Sequence, residues 1–250
     1  MRDASGGLRA QLSERCLVTS EQLPPRDEPR WHASLAVLAA MALYITLPPR
    51  LTIGPVWVAP LLILMLLVPL SILSPHRHRE TRRTRFWSIL LIAIVNFFNL
   101  ASVLLLVASF FHPVKSAEHT PGILLRTGSQ IWATNILVFA LWFWELDGDG
   151  PDARAHASTA TEIKNADFLF PQMQMTIAGG GGENPACIDP LWKPQFADYL
   201  YLGFTNATAF SPTDVMPLSR WAKLLMTIEA VISLITIVIV VARAINAIAS

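Results

Sequence analysis

Long apolar stretches alternate with short polar segments along most of the chain. Five such stretches cover residues 31–47, 53–73, 86–111, 130–144 and 220–246. A membrane-spanning helix needs about 20 mostly apolar residues, and the third and fifth stretches exceed that length. The first is shorter but has Trp31 and Tyr44 near its two ends, where amphipathic rings suit a membrane interface. The pattern predicts an all-α membrane protein with about five transmembrane helices.

A sixth apolar segment, residues 196–210, is too short to span a bilayer comfortably. It leads into a polar, proline-bearing turn at 211–217, and the last apolar helix follows from about Arg220. A short helix, a polar turn and a full span are typical of a re-entrant pore loop. We therefore expect a short re-entrant, pore-like helix before the last span.

These stretches divide the chain into four regions. Residues 1–30 form a polar N-terminal tail, 31–146 a four-helix transmembrane region, 147–195 a polar loop segment, and 196–250 the pore-loop-like hairpin and final helix. Within the loop segment, residues 168–175 are apolar and could pack on the membrane surface or under the bundle. The acidic, glycine-containing stretch 145–152 is interpreted as a solvated turn just outside the membrane.

Composition supports a membrane location, and the arginines indicate an orientation. Hydrophobic residues make up 53% and charged residues 15%, against about 25% charged in a soluble domain. The mean hydropathy is +0.45. Five arginines lie between the second and third stretches, in residues 76–85, which predicts that this loop is cytoplasmic. The re-entrant loop would then enter from the cytoplasmic side, unless residues 196–210 cross fully as a short sixth span.

Polar residues inside the apolar stretches indicate which faces meet protein or water. Asn96 and Asn99 share one helical face, and Asn135 is the polar residue of the fourth stretch. In the last stretch one face carries, at spacings of four and three, Glu229, Ser233, Thr236, Val240 and Arg243. A charged residue at membrane depth should not face lipid. This face either packs against other helices or lines a polar pathway.

Candidate ion-contacting residues cluster around the C-terminal turn. Hydroxyls, an amide and carboxylates could line a pore or contact an ion at Thr205, Asn206, Thr208, Ser211, Thr213, Asp214 and Glu229. The same residues could instead cap helix ends, since Ser211, Pro212 and Asp214 also have the spacing of a helix start.

The arrangement of residues 199–220 before an apolar helix resembles the pore helix, filter and inner helix of two-helix potassium channels. Thr208 and residues 214–217 (DVMP) lie where that family has its filter threonine and its aspartate-x-x-proline. Where the family has Gly-Tyr-Gly, this chain has Phe-Ser-Pro-Thr at 210–213. The family's filter depends on consecutive inward carbonyls, so the resemblance implies a channel that is not potassium-selective in the usual way.

The C-terminal quarter also resembles a group of bacterial multi-pass membrane proteins defined as a domain of unknown function. The residues that carry this likeness are Phe204, Thr205, Ala207, Phe210, Thr213, Asp214, Val215, Ser219 and Arg220. The resemblance implies an integral protein of the bacterial inner membrane.

The expected function is that of a membrane protein similar to an ion channel, and the alternative is a non-conducting scaffold or accessory protein. The motifs contain no Ser/His/Asp constellation, no metal-ligand spacing and no nucleotide motif, so no enzyme activity, cofactor or metal is expected. The expected partners are the lipid bilayer, a monovalent cation and, for a channel, further copies of the chain. No nucleic acid is expected.

Overall fold

The computed structural model describes residues 31–73, 82–111, 121–157, 165–177, 192–208 and 214–249. These residues are mostly helical. The helices are α1 (Trp31–Ile45), α2 (Val58–Leu73), α3 (Arg82–Phe111), α4 (Pro121–Leu146), α5 (Pro151–His156), α6 (Pro171–Ile177), α7 (Phe196–Thr208) and α8 (Arg220–Ala249). Short 3-10 turns cover Pro49–Leu51 and Asp147–Asp149. The predicted tail 1–30 and the first arginines of the 76–85 loop lie outside the described residues.

Each predicted apolar stretch corresponds to a helix, with differences at the ends. Helix α2 begins at Val58 rather than 53, because Gly54 adopts a positive φ of 70° and Pro55 follows it. Helix α3 begins four residues before the apolar stretch, since arginine is a good helix former. Helix α4 extends the fourth stretch in both directions and begins with a proline, which suits a first helical position.

Helix α4 is the centre of the bundle and packs against α1, α3, α7 and α8. Helix α8 runs antiparallel to it, because Asn135 contacts Glu229 and Ser233 while Gly128 lies against Val240. Helix α3 is also antiparallel, with Asn99 bonded to Asn135 and Arg85 near Asp149. The bundle therefore has two ends. We name them the Asp147 end and the Arg126 end, where Arg126 and Gln130 hydrogen-bond Thr46 after α1.

The segment after α4 folds back onto the Asp147 end. Strand β1 (Phe168–Leu169) pairs antiparallel with strand β2 (Met216–Pro217). The Phe168 ring contacts Phe143 of α4 and Tyr199 of α7, and Phe170 also contacts Tyr199. Of the two placements considered for residues 168–175, the structure has Phe168, Phe170 and Met173 buried in the core beneath the bundle.

The interpretation of 145–152 as a solvated turn is wrong. Glu145 and Asp147 are 2% and 1% exposed, and Asp149 is the exposed acid of the turn. The physical reason is that the following segment covers the turn and supplies hydrogen-bond donors to Asp147.

Within the described residues, two helical segments are long and apolar enough to cross a membrane, Arg83–Ser109 of α3 and Arg220–Ala242 of α8. Helix α1 and the Val58–Val68 part of α2 are apolar but shorter. The count of five transmembrane helices stays a prediction.

Candidate functional site

Buried polar side chains connect three helices in the middle of the bundle. The amide nitrogen of Asn99 on α3 donates to the side-chain oxygen of Asn135 on α4 over 3.2 Å. The Asn135 nitrogen donates in turn to Ser233 Oγ at 2.9 Å and to the Glu229 backbone oxygen at 3.3 Å, both on α8. These four residues are at most 2% exposed. Because each amide meets a complementary group, the chain of bonds stabilises the contact of α3, α4 and α8.

The carboxyl group of Glu229 lies where α7 meets α8. Its Oε2 accepts a hydrogen bond of 2.7 Å from Nδ2 of Asn206, and the same nitrogen donates to the Met226 backbone oxygen at 2.8 Å. Its Oε1 is buried and, among the described residues, has no hydrogen-bond partner. No described basic side chain forms an ion pair with Glu229. We name Glu229, Asn206 and Gly203 the Glu229 site.

Gly203 completes this site because it has no side chain. A Cβ atom built there would lie 3.3 Å from Glu229 Oε1, 3.2 Å from the Ile136 carbonyl oxygen and 3.5 Å from the Ala140 nitrogen. The first two distances are shorter than ordinary contacts to a methyl group, and the third is an ordinary contact. The glycine therefore lets α7 lie directly against the backbone of α4 and over the carboxyl group.

A second buried polar cluster lies at the Asp147 end. The Tyr199 hydroxyl donates to Oδ2 of Asp147, and the backbone N–H groups of Asp167 and Phe168 donate to Oδ1 at 2.6 and 3.3 Å. Arg154, 1% exposed, donates to the carbonyl oxygens of Trp144 and Asp147 and lies 5.0 Å from the centre of the Tyr199 ring. The cluster joins the end of α4 to α5, β1 and α7.

Burial raises the pKa of Asp147 above its usual range. The hydrogen bond from Tyr199, the charge of Arg154 and the two backbone N–H groups lower it and oppose the shift without cancelling it. The ionised form is therefore held by donors on several sides, yet it remains costlier in the folded protein than in water.

The direction of α7 in the bundle follows from the contacts of its Tyr199 and Asn206. Tyr199 lies at the Asp147 end, Gly203 lies beside Ile136 and Ala140, and Asn206 reaches Glu229. Helix α7 is therefore antiparallel to α4 and parallel to α8. Both α7 and α8 begin at the Asp147 end. Strand β2, which comes just before α8, lies at this end because it pairs with β1.

The structure brings together two of the seven predicted site residues, Asn206 and Glu229. The hydroxyls of Thr205 and Thr208 instead donate to carbonyl oxygens of their own helix, at 2.9 and 2.8 Å. Asp214 is exposed and belongs to the link before α8. Ser211 and Thr213 lie outside the described residues.

The predicted helix start around Ser211 and Asp214 is wrong, because residues 214–219 are not helical. Helix α8 begins instead after Ser219, whose hydroxyl accepts a hydrogen bond from the Ala222 backbone nitrogen at 3.1 Å. Of the polar face of α8, Glu229, Ser233, Thr236 and Val240 are all buried. Burial of these residues agrees with both packing and the lining of a polar pathway, and the Arg243 side chain is outside the described part.

Sequence reasoning missed Gly203, Tyr199, Arg154 and the buried state of Asp147. An arginine and an aspartate near the end of an apolar stretch ordinarily indicate a solvated boundary. A glycine within an otherwise apolar helix, four residues from a tyrosine, was the available signal for close helix contact.

The part of the chain that the structure describes is mostly helical, and two of its helices have the length and composition of membrane spans. Neither a family model, nor a curated protein, nor a solved structure matches the chain.

Proposed function

We propose that this is a multi-pass integral membrane protein, not an enzyme, in which α1, α2, α3, α4 and α8 span and α7 is a re-entrant half-helix. Exposed apolar side chains on the outer helices support a lipid environment, among them Met65, Phe97, Leu104 and Trp221. The polar groups described above face inward, as a bilayer requires. Helix α7 has 13 residues and is about 20 Å long, short of the roughly 30 Å of a bilayer core.

The arginines support a cytoplasmic location for the Asp147 end. Arg85 lies 3.9 Å from Asp149, so the arginine-rich segment and the start of α7 share one end of the bundle. Positively charged loops face the cytoplasm. The half-helix would enter from there, and the protein would reside in a bacterial inner membrane with α8 ending on the outer side.

The function that this geometry supports best is conduction of a monovalent cation by a protein similar to a channel. The observation that carries it is the carboxyl group of Glu229, buried without a described counter-charge. Glu229 lies nine residues after the start of α8, about 14 Å along its axis and therefore near the middle of a bilayer. An ionisable residue at that depth is expensive and is most often functional. Asp214, exposed before α8, would attract cations near the entrance.

The test is cation flux in liposomes that contain purified, folded protein. We expect Glu229→Gln to abolish flux, because it removes the charge while keeping an oxygen for Asn206. Asp214→Asn is the matched control, since it removes the same charge from an exposed position and should only reduce flux. Equal loss in both variants would argue for a general surface effect, and no flux from the unaltered protein would contradict conduction.

A non-conducting scaffold is the second candidate, and one observation favours it. The Asn99, Asn135 and Ser233 side chains are bonded to one another, and Thr205 and Thr208 bond within α7, so few polar groups remain to line a path. A single half-helix does not enclose a pore, so conduction also requires several copies around an axis. A monomeric particle in images of the purified protein would support the scaffold.

A further inference from the structure

We propose that the cation bound at the Glu229 site is a proton, so that the carboxyl group of Glu229 binds and releases a proton where α7 packs on α8. A role for this proton in transport rests on the proposed function. The binding itself rests on the contacts of the site. In the reaction, one carboxylate oxygen takes a proton from water and later returns it, and no other bond forms or breaks.

Among the described residues, no basic side chain forms an ion pair with Glu229. The contacting groups are the Asn206 amide from α7, the Gly203 backbone from α7, and the Asn135 amide, which donates to the Glu229 backbone oxygen from α4. Helix α4 has no titratable residue between Arg126 and Glu145, and α3 has none after Arg85. Helix α7 has three other ionisable groups, Asp198, Tyr199 and Tyr201, and α8 has Arg220, Lys223 and Arg243. Along the chain, Tyr201 is five residues from Asn206, and each of the others is at least six residues from Asn206 or Glu229 of its own helix.

A carboxylate without a counter-charge is strongly disfavoured in an apolar interior, and such a group becomes neutral instead. A bound proton neutralises Glu229 with no further ligand. Its Oε1, which is buried and has no described hydrogen-bond partner, is the oxygen available to carry it.

The chemistry of the neighbours fits a proton better than a metal cation. Asn206 turns its amide nitrogen toward the carboxyl group, and that assignment is supported because the same nitrogen also donates to the Met226 carbonyl oxygen. An N–H donor repels a metal ion. Hard cations are bound by several oxygen ligands, whereas the described surroundings offer the Glu229 carboxyl group and the helical carbonyl of Ile136.

Helix α7 covers the carboxyl group, so protonation and packing of α7 are coupled. The space left by Gly203 has Glu229 Oε1 and the Ile136 carbonyl oxygen on its sides. A neutral acid is accommodated there, whereas an ionised oxygen would face α7 and the carbonyl without compensation. Loss of the proton therefore weakens the contact of α7 with α4 and α8.

The first experiment measures protonation by infrared difference spectroscopy on the full-length protein in nanodiscs. We expect a carboxylic-acid C=O band at neutral pH that is absent from Glu229→Gln. Asp147→Asn is measured in parallel to separate any band of that buried acid. If the acid bands of Glu229→Gln at neutral pH are the same as those of the unaltered protein, the proposal is overturned.

A second measurement uses the unaltered protein and remains decisive if Glu229→Gln does not fold. We expect the thermal midpoint to be unchanged when sodium or potassium replaces choline at constant ionic strength. A saturable rise of the midpoint with sodium or potassium would identify a metal cation as the ligand and overturn the proton.

Flux measurements separate this inference from the proposed function. Proton flux in liposomes that falls to the level of protein-free liposomes in Glu229→Gln supports both proton binding and conduction. An acid band at Glu229 without any flux supports proton binding and contradicts conduction. Sodium or potassium flux from a protein that lacks the acid band supports conduction and contradicts the proton.

Discussion

Asp147 and Glu229 are both almost fully buried, yet they differ in the groups that surround their carboxyl groups. Asp147 accepts hydrogen bonds from Tyr199 and from two backbone N–H groups, and Arg154 lies close by. The Glu229 carboxyl group accepts one hydrogen bond from the described residues, that of Asn206. Donors that surround a carboxylate stabilise its ionised form, and a nearly bare carboxyl favours the neutral form. The first acid is suited to holding structure together and the second to binding a cation.

At the residue scale, Asp147→Asn should change how stability depends on pH. Because the pKa of Asp147 is raised in the folded state, the folded protein holds its proton at pH values where the unfolded chain has lost it. The contribution of this residue to stability is therefore largest in acid and is lost as pH rises through the folded pKa. Asn cannot titrate, so that loss should be absent.

The measurement is the thermal midpoint of both proteins from about pH 4 to 8, where carboxyl groups with raised pKa values titrate. We expect the thermal midpoint of Asp147→Asn to increase relative to that of the unaltered protein as pH rises. Asp149→Asn is the control, because it removes an exposed carboxylate from the same turn. Parallel curves for Asp147→Asn and the unaltered protein would contradict the assignment.

At the scale of elements, α4 and α8 are in close contact at Gly128. A Cβ atom built there would lie 2.1 Å from Cγ2 of Val240, a distance that side chains do not tolerate. Valine has a stiff χ1 and cannot turn away easily. The small residue on α4 and the branched residue on α8 therefore set the distance between the two helices, as at many membrane helix interfaces.

We expect Gly128→Ala to lower the free energy of unfolding by about 1–3 kcal/mol, as overpacking commonly does. Combination with Val240→Ala should recover part of the loss, because the clashing methyl groups are removed. Gly122→Ala, on the same helix with nothing within 4 Å, is the control and should be neutral or slightly stabilising. Strictly additive effects of Gly128→Ala and Val240→Ala would show that these residues do not contact each other.

At the scale of the whole molecule, the question is whether α7 turns back or crosses. Its Tyr199 contacts Asp147 and its Asn206 contacts Glu229, so α7 is parallel to α8. The link between the two helices therefore has to return to the Asp147 end. Pairing of Met216–Pro217 with Phe168–Leu169 holds the chain there before α8 begins.

Cysteine labelling from the two sides of the membrane tests this arrangement. In a chain whose Cys16 and Cys187 are replaced, we expect Ala153→Cys and Asp214→Cys to react from the cytoplasmic side. Ile53→Cys, exposed in the link between α1 and α2 at the Arg126 end, should react from the opposite side. Labelling of Asp214→Cys together with Ile53→Cys would mean that residues 196–210 cross as a sixth span.

Much of the architecture follows from local pattern alone. Apolar stretches predict the helices, and their ends differ where glycine and proline delay α2 or where arginines extend α3. The spacing of Glu229, Ser233 and Thr236 also predicts one common face, since helical periodicity places them there regardless of what they contact. That face is buried, as either of its two interpretations requires.

What the sequence by itself determined is the mostly helical fold, the position of the helices and the polar face of the last one, because hydrophobicity and helical period act over a few residues. The tertiary structure alone decided which polar groups meet. It brought Asn206 to Glu229, turned Thr205 and Thr208 back onto their own helix, and buried Asp147 among Tyr199 and Arg154. The contacts of Asn206 with α8 and of Tyr199 with Asp147 join residues 20 or more apart in the chain, where a glycine on one helix sets how close another can lie.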